Sequence, residues 1–131
     1  MPAEAKNFDS PDEVRPFEGN GQAKAVELSG HTVLEGTFEP GWKWSQNVKP
    51  IAGTDSCQVA HFGYVKSGAM RIHMDDGSDL DVGPGDVFVI PPGHDAEVTG
   101  SEACVMLDFG EAGAYATSHC RSRGSGGGAV R

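Results

Sequence analysis

Short stretches in which apolar and polar residues alternate, separated by turns rich in glycine and proline, constrain the fold of this chain more than any other feature. Residues 23–28 and 32–38 alternate in this way and flank a turn signal at Ser29-Gly30. A period of two places every second side chain on the same face of a strand, so both stretches are predicted strands. The 19 glycines and 8 prolines among 131 residues are typical of many short strands joined by tight turns.

The middle of the chain is also strand-like: residues 70–74 and 80–82 alternate, and residues 87–90 form a continuous apolar run that predicts a buried strand. Further strands are predicted at residues 57–65, 70–74, 80–82, 87–90, around Val98 and at 104–109. No long helical periodicity interrupts them. About eight short strands of this kind predict an all-β sandwich or closed barrel. The predicted core consists of apolar residues of the central strands, namely Met70, Ile72, Met74, Leu80, Val82, Phe88 and Ile90.

The two ends of the chain differ in composition from its middle. Residues 1–20 are polar and rich in proline, which predicts an extended N-terminal arm. Residues 21–110 are predicted to form the barrel. Residues 111–131 lose the hydrophobic pattern and include a glycine-rich run at 124–128, which predicts a flexible C-terminal tail. A length of 131 residues fits one domain.

Charge and cysteine content exclude several classes of function. With 10 Lys and Arg against 19 Asp and Glu, the formal net charge is −9, so nucleic acid and anionic membranes are not expected partners. No apolar stretch approaches the roughly 20 residues that span a bilayer, and the first residues lack the segments of a signal peptide. Cys57, Cys104 and Cys120 are odd in number and irregularly spaced, which argues against a disulfide framework. A cytoplasmic location is therefore the expectation.

Two segments resemble conserved motifs of the cupin superfamily. Residues 85–93, GDVFVIPPG, fit the first nine positions of the second cupin motif. Residues 64–68, YVKSG, followed by a strand and the DDG turn at 75–77, are similar to the hairpin that ends the first motif. The resemblance covers roughly residues 30–110. It implies a cupin-type double-stranded β-helix, which is a jelly-roll barrel, and a homodimer, since cupins are commonly dimeric.

The metal ligands of the first cupin motif are not found at the matching positions of this chain. The motif reads His-x-His, then three or four residues, Glu, six residues and Gly. Counting back from Gly68 places His61 at the Glu position. The two His positions then fall on Asp55 and Cys57 under the shorter spacing, and on Thr54 and Ser56 under the longer one. None of these positions holds the family's own ligand.

In the second motif the His position falls on Ala96, and His94 stands two residues earlier. The chain nevertheless has four residues of types that bind transition metals: His61, His94, Cys57 and Asp55. Two histidines with one thiolate or carboxylate leave coordination positions open. The resemblance therefore implies a candidate divalent metal, Zn, Fe, Ni or Mn. The simpler alternative is that Cys57 is a core residue and that His94 hydrogen-bonds its own loop.

Two tryptophans precede the first motif. Trp42 and Trp44 share one face if residues 42–44 form a strand. Together with His61 and His94 they predict a pocket at the mouth of the barrel, suited to an apolar or aromatic ligand. Two alternatives are plain core packing and packing under the N-terminal arm.

These observations favour a small-molecule-binding cupin domain with a candidate transition metal in the barrel mouth. The alternative is a metal-dependent cupin enzyme, a dioxygenase, isomerase or lyase that acts on a small organic acid or ring compound. A structural dimerisation domain is the weakest hypothesis. No catalytic residue is identified, and whether the chain is an enzyme stays open at this point. The distance between the imidazoles of His61 and His94 tests the metal-dependent enzyme hypothesis, because no single ion joins imidazoles more than about 8 Å apart.

Overall fold

The structure is a computed structural model and describes residues 3–110. Over these residues the chain forms nine strands and two four-residue helices. In chain order they are β1 (Glu13–Pro16), β2 (Gly21–Leu28), β3 (His31–Phe38), α1 (Trp44–Asn47), α2 (Lys49–Ala52), β4 (His61–Ser67), β5 (Met70–Met74), β6 (Asp79–Val82), β7 (Val87–Ile90), β8 (His94–Val98) and β9 (Cys104–Asp108). The predicted all-β class is confirmed. Neither helix in this part of the chain is long and apolar enough to cross a bilayer.

The strands form two antiparallel sheets that share one core. The larger sheet has the order β1-β2-β3-β9-β4-β7 and the smaller one β6-β5-β8. Buried side chains of both sheets belong to a single hydrophobic cluster. Within residues 3–110 the hydrogen-bonded ladders do not close into a ring, because β6 pairs only with β5 and β7 only with β4. The predicted barrel is therefore built from two facing sheets instead of one closed sheet.

Most of the predicted core residues are buried. Met70, Ile72, Val82, Phe88 and Ile90 each lie in the hydrophobic cluster, and Met74 packs against it partly buried. The prediction for Leu80 is wrong, because its side chain is exposed. Leu80 lies on β6, an outer strand of the smaller sheet on which only Val82 is buried.

Part of the predicted N-terminal arm belongs to the sheet. β1 pairs with β2 of the same chain, with Glu13 opposite Ala25 and Pro16 opposite Gln22. Phe17 then enters the core and stacks on Phe38, with ring centroids 5.3 Å apart. The predicted tail, residues 111–131, lies outside the described residues.

The segment that carries both tryptophans is not a strand. Trp42 follows a turn, and Trp44 begins α1. The main chain is instead held against β8, because the Trp42 carbonyl accepts a hydrogen bond from Val98 N (3.0 Å) and Asp95 Oδ1 accepts one from Ser45 N (3.0 Å). Both indole rings are almost completely buried as a result.

Candidate metal centre and its cavity

Backbone pairing brings Cys57 and His94 side by side. The two residues form an isolated antiparallel bridge outside the named ladders. Cys57 N donates to the His94 carbonyl at 2.7 Å, and Gly93 N donates to the Cys57 carbonyl at 2.7 Å. Residues 37 positions apart in the chain thus become direct neighbours, with both side chains buried.

His61 is the first residue of β4 and points into the protein. Its Nδ1 hydrogen-bonds Asp108 Oδ2 at 2.5 Å, and the other oxygen of Asp108 accepts from Gly110 N at 3.0 Å. A carboxylate at Nδ1 fixes the proton there, so Nε2 presents its lone pair. Nε2 lies 3.7 Å from Cys57 Sγ. Asp108 therefore orients His61 towards the thiol.

His94 is held in the corresponding orientation by its own loop. Its Nδ1 donates to the Pro91 carbonyl at 2.9 Å, which leaves Nε2 available. Burial, and next the neighbouring His61, lower the pKa of His94 to about 4. The ring is therefore neutral at pH 7 and offers a lone pair instead of a charge. The rings of His61 and His94 lie 5.1 Å apart between centroids, well inside the limit for one shared ion.

Cys57, His61 and His94 form a buried set of three metal-ligating side chains. Their ligand atoms all lie within 4.8 Å of one another. A tetrahedral zinc ion would separate a cysteine sulfur and an imidazole nitrogen by about 3.6 Å, close to the 3.7 Å between Cys57 Sγ and His61 Nε2. The donor chemistry and the separation of the three side chains fit a transition metal.

Asp55 does not lie with the other three predicted ligands. Its side chain is fully exposed in the loop before Cys57, and its nearest charged partner is Lys49 Nζ at 3.8 Å. Residues 54–56 form a bend and are not part of a strand. The structure therefore supplies no carboxylate from Asp55 to the cluster.

An apolar cavity of about 50 Å³ adjoins the cluster. It lies between the two sheets, and its walls include Trp42, Trp44, Phe88, His61 and His94. The four residues of the predicted pocket therefore line one cavity. Cys57 does not line it. The cavity is far smaller than the roughly 150 Å³ that accommodates benzene.

Trp42 and Trp44 also leave polar atoms in this wall. Their indole Nε1 atoms are buried and have no hydrogen-bond partner among the described residues. A buried donor without an acceptor costs about 1–3 kcal/mol. Trp42 additionally packs against Phe17 of the predicted arm, with ring centroids 5.9 Å apart, so pocket lining and packing under the arm both occur.

Comparison with known families assigns this fold. The family model described as "Cupin domain" matches residues 53–110, a span that contains the three candidate ligands and Asp108. This match and the two-sheet architecture support a cupin domain over these residues. No curated protein matches the chain.

Several solved structures share the architecture at low sequence identity. An RmlC-like cupin from Shewanella frigidimarina is 17% identical, with 81% of this chain and 88% of that chain covered and a TM-score of 0.55. KdgF from Halomonas sp. is 21% identical, with 83% and 94% covered and a TM-score of 0.55. Oxalate decarboxylase from Lactobacillus farciminis, a formate complex, is 17% identical, with 81% and 33% covered and a TM-score of 0.54. At these identities the similarity shows the fold alone.

Asp108 is the residue of the site that sequence reasoning missed. It lies at the end of β9, whose buried residues are Cys104, Met106 and Asp108. The period-two pattern from Cys104 places Asp108 on the inner face, so a carboxylate at a core position was the available signal. Its partner was not readable, because His61 lies 47 residues away in the chain.

Proposed function

We propose that this cupin binds a small molecule next to a divalent transition metal held by Cys57, His61 and His94. The observation that carries the proposal is the orientation of the two imidazoles. Each has its Nδ1 hydrogen-bonded away from the cluster, to Asp108 or to Pro91, and each keeps Nε2 for a ligand bond. Such outer hydrogen bonds are what metal-binding histidines use to fix tautomer and ring orientation.

The donor set favours some metals over others. One thiolate and two imidazoles suit Zn²⁺, Ni²⁺ or Fe²⁺, whereas Mn²⁺ prefers oxygen ligands, which Asp55 does not supply here. A bound ion of this kind would act as a Lewis acid towards an oxygen atom in the cavity. His94, neutral at pH 7 because of its burial, needs to release no proton when it binds metal.

A metal-dependent enzyme is the second candidate, and one observation favours it. Three protein ligands leave at least one coordination position open, as in catalytic zinc sites. His61 and His94, two of the three residues that would hold the ion, line the cavity, so a small molecule bound there would lie next to it. A volume of about 50 Å³ admits a small organic acid but not a ring compound. The presence of an oxalate decarboxylase among the structural neighbours accords with a small acid.

Cobalt titration tests the metal site. Co²⁺ added to metal-free protein should produce a thiolate-to-metal absorption band that saturates at one ion per chain. Cys57→Ser should abolish the band. Cys104→Ser is the matched control, because Cys104 is equally buried, its pKa is raised to about 11 by burial, and it is not in the cluster. A band that survives Cys57→Ser would refute the proposed ligand set.

Chelation separates binding from catalysis. A binding module should show a ligand-dependent rise in melting temperature that persists in chelator. A metalloenzyme should lose turnover in chelator and regain it when the metal is restored.

We further propose that the protein acts as a homodimer through an apolar patch on the outer face of the larger sheet. The patch consists of Phe62, Tyr64, Val87, Val89 and Phe109, all exposed. Phe62 lies opposite Val89 and Tyr64 opposite Val87 across β4 and β7, and the Phe62 and Phe109 rings are 6.4 Å apart.

Size and charge support a second copy of this chain as the occupant of the patch. Its three aromatic rings alone expose roughly 300 Å², more than a third of the about 800 Å² per partner in a standard interface. The patch carries no charge, whereas the chain carries −9. Two copies therefore meet the least repulsion when these faces meet.

A cytoplasmic location is also part of the proposal. Cys57 and Cys104 form no disulfide within the described residues. A reducing compartment keeps such thiols available as metal ligands. Localisation of a tagged full-length chain would test it.

A further inference from the structure

Two buried hydrogen-bond donors face no acceptor in the described part of the protein. They are the indole Nε1–H groups of Trp42 and Trp44, whose side chains are at most 2% exposed. An indole nitrogen can only donate, and buried donors in folded proteins nearly always meet an acceptor. Both residues also line the cavity.

The two rings are fixed in place without any ligand. Trp42 packs edge-on against Phe38, with centroids 4.6 Å apart, and its carbonyl is bonded to Val98 N. Trp44 begins α1, whose first turn is bonded to Asp95. Donors that are ordered beforehand bind an acceptor with little loss of conformational entropy.

The Nδ1–H donors of the two histidines in the cavity wall are already engaged. Nδ1 of His61 and Nδ1 of His94 bond Asp108 and the Pro91 carbonyl, and Asp108 also accepts from Gly110 N. All other lining residues are apolar or glycine. The wall therefore offers a ligand two uncommitted donors, both of them indoles.

We propose that Trp42 and Trp44 donate their indole N–H groups to an sp² oxygen of a small carbonyl-containing ligand, either a carboxylate or a neutral carbonyl compound. A cavity of about 50 Å³, against 10–15 Å³ for one water, limits the enclosed part of the ligand to a few non-hydrogen atoms. This inference rests on the proposed small-molecule function but does not depend on the metal. The binding step makes and breaks no covalent bond.

Nuclear magnetic resonance of the full-length protein tests the inference without a mutation. The chain has two tryptophans, so a ¹⁵N-labelled sample gives two indole N–H signals. Acetate and acetone serve as the anionic and the neutral probe, and benzoate as an oversized control. We expect both indole signals to move downfield and saturate with acetate, acetone or both, and not with benzoate. The stronger of the two probes identifies the class of carbonyl oxygen.

Two results would overturn the inference, and they are distinguishable. If acetate or acetone saturably shifts the methyl signals of Met70 and Ile72, which also line the cavity, while the indole signals stay fixed, small molecules bind but the tryptophans are not the donors. If no signal moves with any probe, the small-molecule part of the proposed function fails as well. The cobalt titration still reports on the metal in both cases.

Substitutions then assign the donors individually. Trp42→Phe and Trp44→Phe each keep an aromatic ring but remove one donor, and each should weaken binding of the active probe roughly tenfold. Phe88→Leu changes the same cavity wall without removing a donor and should weaken binding less. Equal binding by wild type and both tryptophan variants contradicts the proposal. Cobalt stoichiometry should stay at one ion per chain in all three variants.

Discussion

Single hydrogen bonds decide which nitrogen each imidazole presents to the cluster. Asp108 sets the tautomer of His61 from behind, and a main-chain carbonyl at Pro91 does the same for His94. The two supports differ in character, because a carboxylate also raises the basicity of the ring it bonds. His61 is therefore the ligand most sensitive to a change in its support.

Asp108→Ala should weaken metal binding about 10- to 100-fold, because His61 loses the group that holds its Nδ1 proton and its ring orientation. Competitive titration against a chromophoric chelator gives the dissociation constant. Asp81→Ala, on exposed strand β6, is the control and should bind metal as wild type does. An unchanged constant for Asp108→Ala would remove Asp108 from the site.

His73 predicts a pH dependence of stability on the other sheet. Its ring bonds Glu97 (2.7 Å) and Asp79 (2.9 Å), and these carboxylates, Glu97 first, raise its pKa above 6.5. A raised folded-state pKa stabilises the protein fully below pH 6.5 and loses that contribution as pH rises through the folded value.

The free energy of unfolding of wild type should therefore exceed that of His73→Gln most at pH 6, and the difference should shrink by pH 9. Urea unfolding at both pH values measures it. A His73→Gln difference that is constant with pH would show that the ring is not charged in the folded state.

Strand β4 positions His61 through a close approach to β9. At Gly63 a Cβ atom would lie 1.9 Å from the Leu107 carbonyl oxygen, a backbone atom that cannot move aside alone. Gly63 pairs with Asp108 across the same ladder. The absence of a side chain at Gly63 therefore permits the strand spacing on which the His61–Asp108 bond depends.

Gly63→Ala should lower the free energy of unfolding by about 1–3 kcal/mol, because β4 must move away from β9. Chemical denaturation measures this loss, and metal affinity should fall with it. Gly83→Ala is the control, since nothing lies within 4 Å of a Cβ there. Equal stability of the two variants would show that the approach at Gly63 is not constrained.

The alternation of apolar and polar residues predicted strands well where one face of the strand is buried and the other is exposed. Alternation in β2, β3 and β5 predicted strands within two residues of the observed bounds. Residues 87–90 were predicted as a buried strand; the bounds of β7 agree, but Val87 and Val89 are exposed. Alternation on the edge strand β6 misled, because Leu80 has no second layer to cover it. Residues 57–60 were predicted as strand, but Cys57 forms only a single bridge to His94.

The candidate site was less predictable because it is assembled across long sequence separations. The positions of the cupin motif pointed to His61 and Cys57 as candidate ligands. In the structure both residues lie close to His94, which is one of the ligand sets that the resemblance implied. Asp55 was a candidate ligand only because of its position in the motif spacing. In a loop, unlike a strand, spacing does not predict the direction of a side chain. Asp108 and the unsatisfied indole groups follow from three-dimensional placement, which no local pattern encodes.

The molecule as a whole combines an acidic surface with one uncharged apolar face. If that face is a dimer interface, Val89→Lys should convert a dimer into a folded monomer, because it buries an unpaired charge from each copy in the interface. Sedimentation velocity measures the mass, and circular dichroism checks the fold. Val14→Lys, the same change at an exposed valine outside the patch, should stay dimeric. A monomeric wild type would contradict the proposed interface.

The fold brings the thiol of Cys57 and the imidazoles of His61 and His94 together, and we propose that they hold one metal ion. X-ray absorption spectroscopy of the zinc-loaded protein tests it most directly, because it counts ligands by element and distance. We predict one sulfur at about 2.3 Å and at least two nitrogen ligands at about 2.0–2.1 Å, with the sulfur contribution lost in Cys57→Ser and retained in Cys104→Ser. A coordination shell of nitrogen and oxygen alone in the wild-type protein would contradict it.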